Sequence, residues 1–242
     1  GFRGRAAVAG VDLSDGTSID LDEGNDFVVL AIGMKPNVSL FEGQLELAPD
    51  GIVVDERMWT GMPDTFAAGD CTQCISGIDG KPLGGKLATN AVPQAKVAAL
   101  NLLGHQARYP GIFNGAATVV GDLRIGGTGF TETYARTRGF EPVVLVGEST
   151  SRFPMMPGVK PVRVKLVADA ATGRLIGGQV RGYEAVAERV DVITLAIQQG
   201  MTGAELAGLS YSAQPWQTFF PAKNAIVEAA SGLASKVQPA PA

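Results

Sequence analysis

Residues Phe27-Val28-Val29-Leu30-Ala31-Ile32 run without a polar interruption into Gly33, and no other feature narrows the possible folds of this chain as far. Continuous rather than alternating hydrophobicity marks a strand buried on both faces, as in a parallel sheet. A parallel strand is reached through a crossover connection, usually a helix. Nothing upstream reads as one. Val8, Ala9, Val11 and Leu13 lead into Ser14-Asp15-Gly16-Thr17, and Ile19 and Leu21 follow, which is the pattern of a β-hairpin turning on Asp-Gly. The expectation is therefore a central strand without the βαβ unit that feeds it, in a Rossmann-like part truncated at its N-terminus.

Downstream, Gly51 to Asp55 and Thr65 to Asp70 read as short strands separated by a turn at Pro63, and residues 71–86 as a Gly-rich loop. Asn90 is a candidate cap for a helix from Ala91 to Leu103, with Pro93 tolerated early and Gly104 as the stop. Val92, Ala95, Ala99 and Leu102 share one face of that helix and predict its buried side. Tyr109-Pro110-Gly111 marks a boundary. Beyond it, 142–148, 161–168 and Leu175 to Val180 read as strands, with Asp169 to Gly173 as a turn. Val186, Val190, Ile193 and Ile197 repeat at helical spacing up to Gly200, and Thr202-Gly203-Ala204-Glu205 has the form of a capping box. The fold class expected is α/β plus α+β: a truncated nucleotide-binding part followed by an antiparallel sheet with segregated helices.

Composition excludes several functions. The 20 basic and 24 acidic side chains give a net charge of -4, so no nucleic-acid partner is expected from bulk positive charge, and the Arg3/Arg5 pair is too small a patch. No apolar run is long enough to span a membrane. The start lacks both Met and a signal-peptide apolar region, and two cysteines make no disulfide scaffold, so the expected location is the reducing cytoplasm. With His105 as the one histidine, multi-histidine mechanisms and a closed zinc site with Cys71 and Cys74 lack ligands, and no metal site is expected.

Thr65-Phe66-Ala67-Ala68-Gly69-Asp70 has the form of a strand that ends in small residues and presents a carboxylate, which suits the hydroxyls of a dinucleotide. Cys71-Thr72-Gln73-Cys74 has redox spacing, but it precedes a loop rather than a helix, so packing is the reading preferred over a working dithiol.

Taken in order, these segments resemble the FAD-dependent pyridine nucleotide-disulfide oxidoreductases, in the branch holding CoA-disulfide reductases, NADH oxidases and polysulfide or persulfide reductases. Val29 to Asn37 is similar to the strand and turn that close their NAD domain, Gly51 to Trp59 to the return strand, and Thr65 to Asp70 to their second FAD motif. Leu87 to Gly104 is similar to the helix against the flavin. Leu175 to Ala185 and Val190 to Gly200 resemble their dimerisation domain. The resemblance implies residues 1–40 as the end of an NAD(P)-binding domain, 41–112 as the second segment of an FAD-binding domain, 113–236 as a C-terminal dimerisation domain, and 237–242 as a flexible tail.

It further implies FAD and NAD(P)H as cofactors and electron transfer from NAD(P)H through FAD to a disulfide, a persulfide or polysulfide, or oxygen, in a homodimer. Asp70, beside Gly69, would hold a ribityl hydroxyl, and backbone N–H groups of Ala91 and Val92 would meet the pyrimidine end of the flavin. Tyr211 and Trp216 would stand on the substrate side across the dimer, although Phe153-Pro154-Met155-Met156-Pro157-Gly158 has methionines where tyrosines are frequent in the family. The family's Gly-rich fingerprint and early redox Cys are absent, so the chain corresponds to roughly the C-terminal half of such an enzyme and would be inactive alone. The competing readings are a non-catalytic dimerisation or interaction module and a Cys71/Cys74 dithiol protein.

Overall fold

A computed structural model describes residues 1–22 and 24–237. It divides into two units, Gly1–Lys35 and Pro36–Ala242. In the first, β1 (Phe2–Arg3), β2 (Gly10–Asp12) and β3 (Ser18–Asp20) form an antiparallel sheet in that order, with Val11 opposite Ile19. The expected hairpin is present: the Leu13 N–H donates to the Thr17 carbonyl at 2.8 Å around Gly16, whose φ is +87°. The Arg3 guanidinium bridges the Asp12 and Asp20 carboxylates at 2.9 and 2.7 Å.

The expected central strand is not formed. Residues 27–32 form no strand and make no ladder hydrogen bonds, and Phe27, Val29, Leu30 and Ile32 are exposed, Ile32 at 89%. Apolar side chains make a strand only where a neighbour pairs its backbone, and no described strand lies beside this one.

In the second unit, a short hairpin pairs β4 (Leu47–Ala48) with β5 (Gly51–Ile52), so the strand expected over Gly51 to Asp55 lasts two residues. Thr65 to Asp70 is likewise no continuous strand: it pairs once, Trp59 against Phe66. Helix α1 (Ala88–Leu102) begins three residues ahead of its expected start. Its buried face is the reverse of the one predicted. Asn90, Gln94, Ala98 and Asn101 point inward, whereas Val92, Ala95, Ala99 and Leu102 are exposed.

The rest is a five-stranded antiparallel sheet in the order β6 (Ala116–Val120), β7 (Leu123–Gly129), β10 (Leu175–Gly182), β9 (Pro161–Asp169), β8 (Pro142–Thr150). α2 (Glu132–Thr137) follows β7, α3 (Val186–Gln198) and α4 (Gly203–Ala207) follow β10, and α5 (Ala225–Lys236) is the last helix among the described residues. Alternation decides the faces. Val162, Val164 and Leu166 of β9 are buried with Val180 beneath α3 and α5, among Val190, Ile193, Ile226, Ala230 and Leu233. Gly178 is required there, since a Cβ would lie 2.7 Å from Ile193 Cγ2. The Thr202–Glu205 capping box forms as the sequence predicts.

On the opposite face, Phe130, Ala135, Val167 and Ile176 make a smaller core with Ile78 and Leu83. That second core ties the loop after Asp70 to the sheet. Arg138 of the α2 C-cap completes the tie, donating to both Asp79 carboxylate oxygens at 2.7 and 2.8 Å and to the Pro82 carbonyl at 3.0 Å. Val237, expected in a flexible tail, is buried and donates its N–H to Leu233 at 2.9 Å; residues 238–242 of that tail lie outside the described residues.

Candidate functional site

The Gly69–Asp70 turn is built from its backbone outward. Gly69 has φ +83°, a conformation that excludes most side chains, and a Cβ added there would stand 3.5 Å from the Cβ of Ala91. Its N–H donates to Oε1 of buried Gln94 at 2.8 Å, and its carbonyl accepts from the Thr72 hydroxyl at 2.8 Å. The turn is thus pinned to α1 by an amide that the helix turns inward.

Asp70 itself is exposed, and its carboxylate has no partner among the described residues. An anionic acceptor held on a fixed backbone and left unpaired is available to ligand hydroxyls. Nearby, Lys86 Nζ donates to the Asp50 carbonyl at 2.7 Å and to the Thr72 carbonyl, which ties the backbone after the turn to the β4–β5 hairpin.

The start of α1 corrects one expectation. Because the helix begins at Ala88, the Ala91 N–H donates to the Leu87 carbonyl at 2.9 Å and Val92 lies in the second turn. The orphan donors are those of Ala88 and Thr89, at an N-cap, Leu87, that makes no side-chain cap bond. Asn90 is not the cap. Its Nδ2 donates to Gly85 at 2.8 Å and to Asn114 Oδ1 at 3.1 Å, which sets the preceding loop instead. Ala91 is half-buried against Gly69, and Val92 is exposed at 53%.

Sequence reasoning missed Gln94 and Asn101 because amides on a helix read as solvated, and Lys86 because it lies in the Gly-rich loop ahead of α1. The signal was their spacing: Asn90, Gln94 and Asn101 repeat along one face. Asn101 closes the far end of α1, donating to the Arg57 and Ala107 carbonyls at 2.9 Å each and accepting from the Ala107 N–H at 2.9 Å.

Cys71 and Cys74 are both free thiols. Cys74 is 2% exposed, and burial pushes its thiol pKa up, which suppresses the thiolate that redox exchange requires. Among the described residues no three His, Cys, Asp or Glu side chains gather as a metal site, and no helix is long and apolar enough to cross a membrane.

Tyr211 and Trp216 lie on a different segment, which runs alongside the loop after β8. The Tyr211 hydroxyl donates to the Pro221 carbonyl at 2.8 Å. Trp216 is half exposed beneath Arg152, whose Cζ stands 5.7 Å from its ring centroid. The Phe153 N–H donates to Pro215 at 3.0 Å, and the Phe153 and Phe220 rings meet edge to face at 5.2 Å. No hydrogen bond joins this cluster to the Asp70 turn among the described residues.

A five-stranded antiparallel sheet with α3, α4 and α5 on one face and α2 on the other, preceded by a Gly-Asp turn docked on a helix, defines an α+β sheet domain joined to part of a nucleotide-binding fold. The chain belongs to the pyridine nucleotide-disulphide oxidoreductase family: residues 2–95 match the family's oxidoreductase domain and residues 116–219 its dimerisation domain. It is 34% identical over 78% of its length to an NADH oxidase of Methanocaldococcus jannaschii, of which it covers 42%. It is 30% identical over 73% of its length to an NAD(P)H coenzyme A polysulfide/persulfide reductase of Pyrococcus horikoshii, of which it covers 40%. Among solved structures it is similar to the NAD-dependent persulfide reductase from A. fulgidus, with a TM-score of 0.83, 31% identity, and coverage of 92% of this chain and 40% of that one. The chain thus spans about two fifths of the length of these relatives.

Proposed function

We propose that this chain supplies the second half of the FAD site and the dimer contacts of a cytoplasmic, homodimeric FAD-dependent NAD(P)H oxidoreductase. The observation that carries this reading is the Asp70 carboxylate, unpartnered on a backbone that Gly69, Gln94 and Thr72 hold still beside the uncapped start of α1. These residues fit a dinucleotide. The carboxylate accepts from ribityl hydroxyls, Gly69 lets the backbone approach closely, and the N–H groups of Ala88 and Thr89 offer donors and partial positive charge to the pyrimidine end of the flavin, where negative charge gathers on reduction. Ala91 and Val92 give that contact its small apolar side. We assign residues 1–40 to the end of an NAD(P) domain, 41–112 to the FAD domain and 113–236 to the dimerisation domain.

FAD held by Asp70 and Gly69 would supply the redox chemistry linking NAD(P)H to a disulfide, a persulfide or polysulfide, or oxygen as acceptor. The chain's own part is to bind and orient: Asp70 and Gly69 fix the ribityl arm, and Tyr211 and Trp216 present an aromatic edge to the acceptor from the second subunit. The outward apolar residues of α1 support a further covering layer. Val92, Leu100, Leu102 and Leu103 are 53, 41, 62 and 77% exposed, and Lys96 is the one charge of that helix.

The test is turnover by the chain extended at its N-terminus with the nucleotide-binding portion of the A. fulgidus enzyme. NADH and NADPH are supplied in turn against CoA disulfide, polysulfide and oxygen. Turnover with one of these acceptors in a flavin-bearing dimer is expected. A dimer that takes up no flavin would leave the interaction-module reading in its place.

A further inference from the structure

Glu184 lies just ahead of α3, before Ala185, which takes φ +50°. Its two ends do different work. The carboxylate accepts from Arg152 Nη2 at 2.5 Å and Nε at 3.1 Å, and the backbone carbonyl accepts from Arg189 Nη1 at 2.7 Å. Each of those guanidinium groups lies on an aromatic ring of one segment: Arg152 5.7 Å from the centroid of Trp216, and Arg189 4.1 Å from that of Phe219. Arg189 is 7% exposed, so its plane is held by packing as well as by that one hydrogen bond. Arg152 is also tied to its own loop, where Nη1 donates to the Pro157 carbonyl at 3.2 Å.

We propose that the Glu184 carboxylate positions residues 211–220 by fixing Arg152 against Trp216, beside the Arg189–Phe219 contact that its backbone carbonyl braces, so that the exposed indole is offered in one orientation. The proposal deepens the reading of Trp216 as an acceptor-side residue and rests on it for its functional meaning. An ion pair of this exposure, 25% for Arg152 and 37% for Glu184, contributes little to global stability, so its effect is geometric. A planar guanidinium held by two hydrogen bonds has one orientation over a ring, which a lysine ammonium does not reproduce.

The chain has two tryptophans, so Trp59→Phe leaves Trp216 as the sole reporter. In that background Glu184→Gln and Arg152→Met are expected to raise acrylamide quenching of Trp216 about twofold, with the thermal midpoint near that of the parent. Arg152→Lys is expected to behave like Arg152→Met. The reciprocal exchange Arg152→Glu with Glu184→Arg restores an ion pair but removes the guanidinium from the indole, so quenching should stay high. Unchanged quenching in the single variants, or a return to the parent value in the exchange, would overturn the proposal. If Trp59→Phe fails to fold, fluorine NMR of 5-fluorotryptophan-labelled protein, assigned with Trp216→Phe, reads the same contact. Turnover of Trp216→Ala in the N-terminally extended protein reads the acceptor-side role separately. Wild-type turnover there, beside raised quenching in Glu184→Gln, would sink that role while leaving the positioning intact.

Discussion

Asp79→Ala is expected to cost about 3 kcal/mol in urea unfolding, because it leaves the Arg138 guanidinium without its counter-charge in a site where the two side chains are 7% and 14% exposed. The loss reaches beyond the pair. Asp79 stands in the loop that follows the Gly69–Asp70 turn, and Arg138 also holds the Pro82 carbonyl and lies 5.7 and 5.8 Å from the Phe130 and Tyr134 ring centroids. Burial works to raise the Asp79 pKa, but the hydrogen bonds from Arg138 and the Lys81 N–H outweigh it, so the carboxyl titrates below its ordinary 3.8. A carboxyl whose folded pKa is depressed stabilises fully above its unfolded value and loses that contribution as pH falls through the folded one. The urea midpoint of the wild type should therefore drop below about pH 4 by more than that of Asp79→Asn, in which the pH-dependent part is gone. Parallel curves for the two proteins would remove the pair from the account.

Leu166→Ala is expected to cost about 3 kcal/mol, and Lys165→Ala, its neighbour on the same strand, less than about 0.5. Leu166 is fully buried between Leu145, Gly178 and the helices, whereas Lys165 stands on the other face with a salt bridge to Glu132 at 3.0 Å. The contrast tests the sheet's two-sidedness with substitutions one residue apart. Equal costs would mean that β9 is not in the register described.

The same alternation explains why this half of the chain was legible. The three expected strands correspond to β8, β9 and β10, and the 186–197 repeat and the capping box each carry a strong local period. β6 and β7 escaped notice because Ala116–Val120 is five residues without polar alternation and Leu123–Gly129 is interrupted by glycines, leaving little period to read. α5 had a usable signal: Asn224 accepts from the Ile226 and Val227 N–H groups as an N-cap, and Ile226, Ala229, Ala230 and Leu233 line one side. α2 likewise has a Thr131 cap that accepts from Tyr134.

Residues 27–32 and α1 mislead for a physical reason. An apolar run says that burial is favourable but not what provides it, and residues 27–32 have no described strand to pair with. On α1 the helical spacing of the apolar residues predicts the wrong side as inward. Yet loop backbone around Gly69, Gly85 and Arg57 needs hydrogen-bond partners, and only the amide side of the helix supplies them. The Gly69–Asp70 turn could be picked out in sequence; what holds it could not.

The most direct test of the central claim is flavin affinity of the N-terminally extended dimer with and without the Asp70 carboxylate. Stoichiometric FAD is expected in the wild type, and at least about tenfold weaker binding in Asp70→Ala, the scale of one lost charge-assisted hydrogen bond. Dimerisation and far-UV circular dichroism should be unchanged. Equal FAD affinity in the two proteins would contradict that claim.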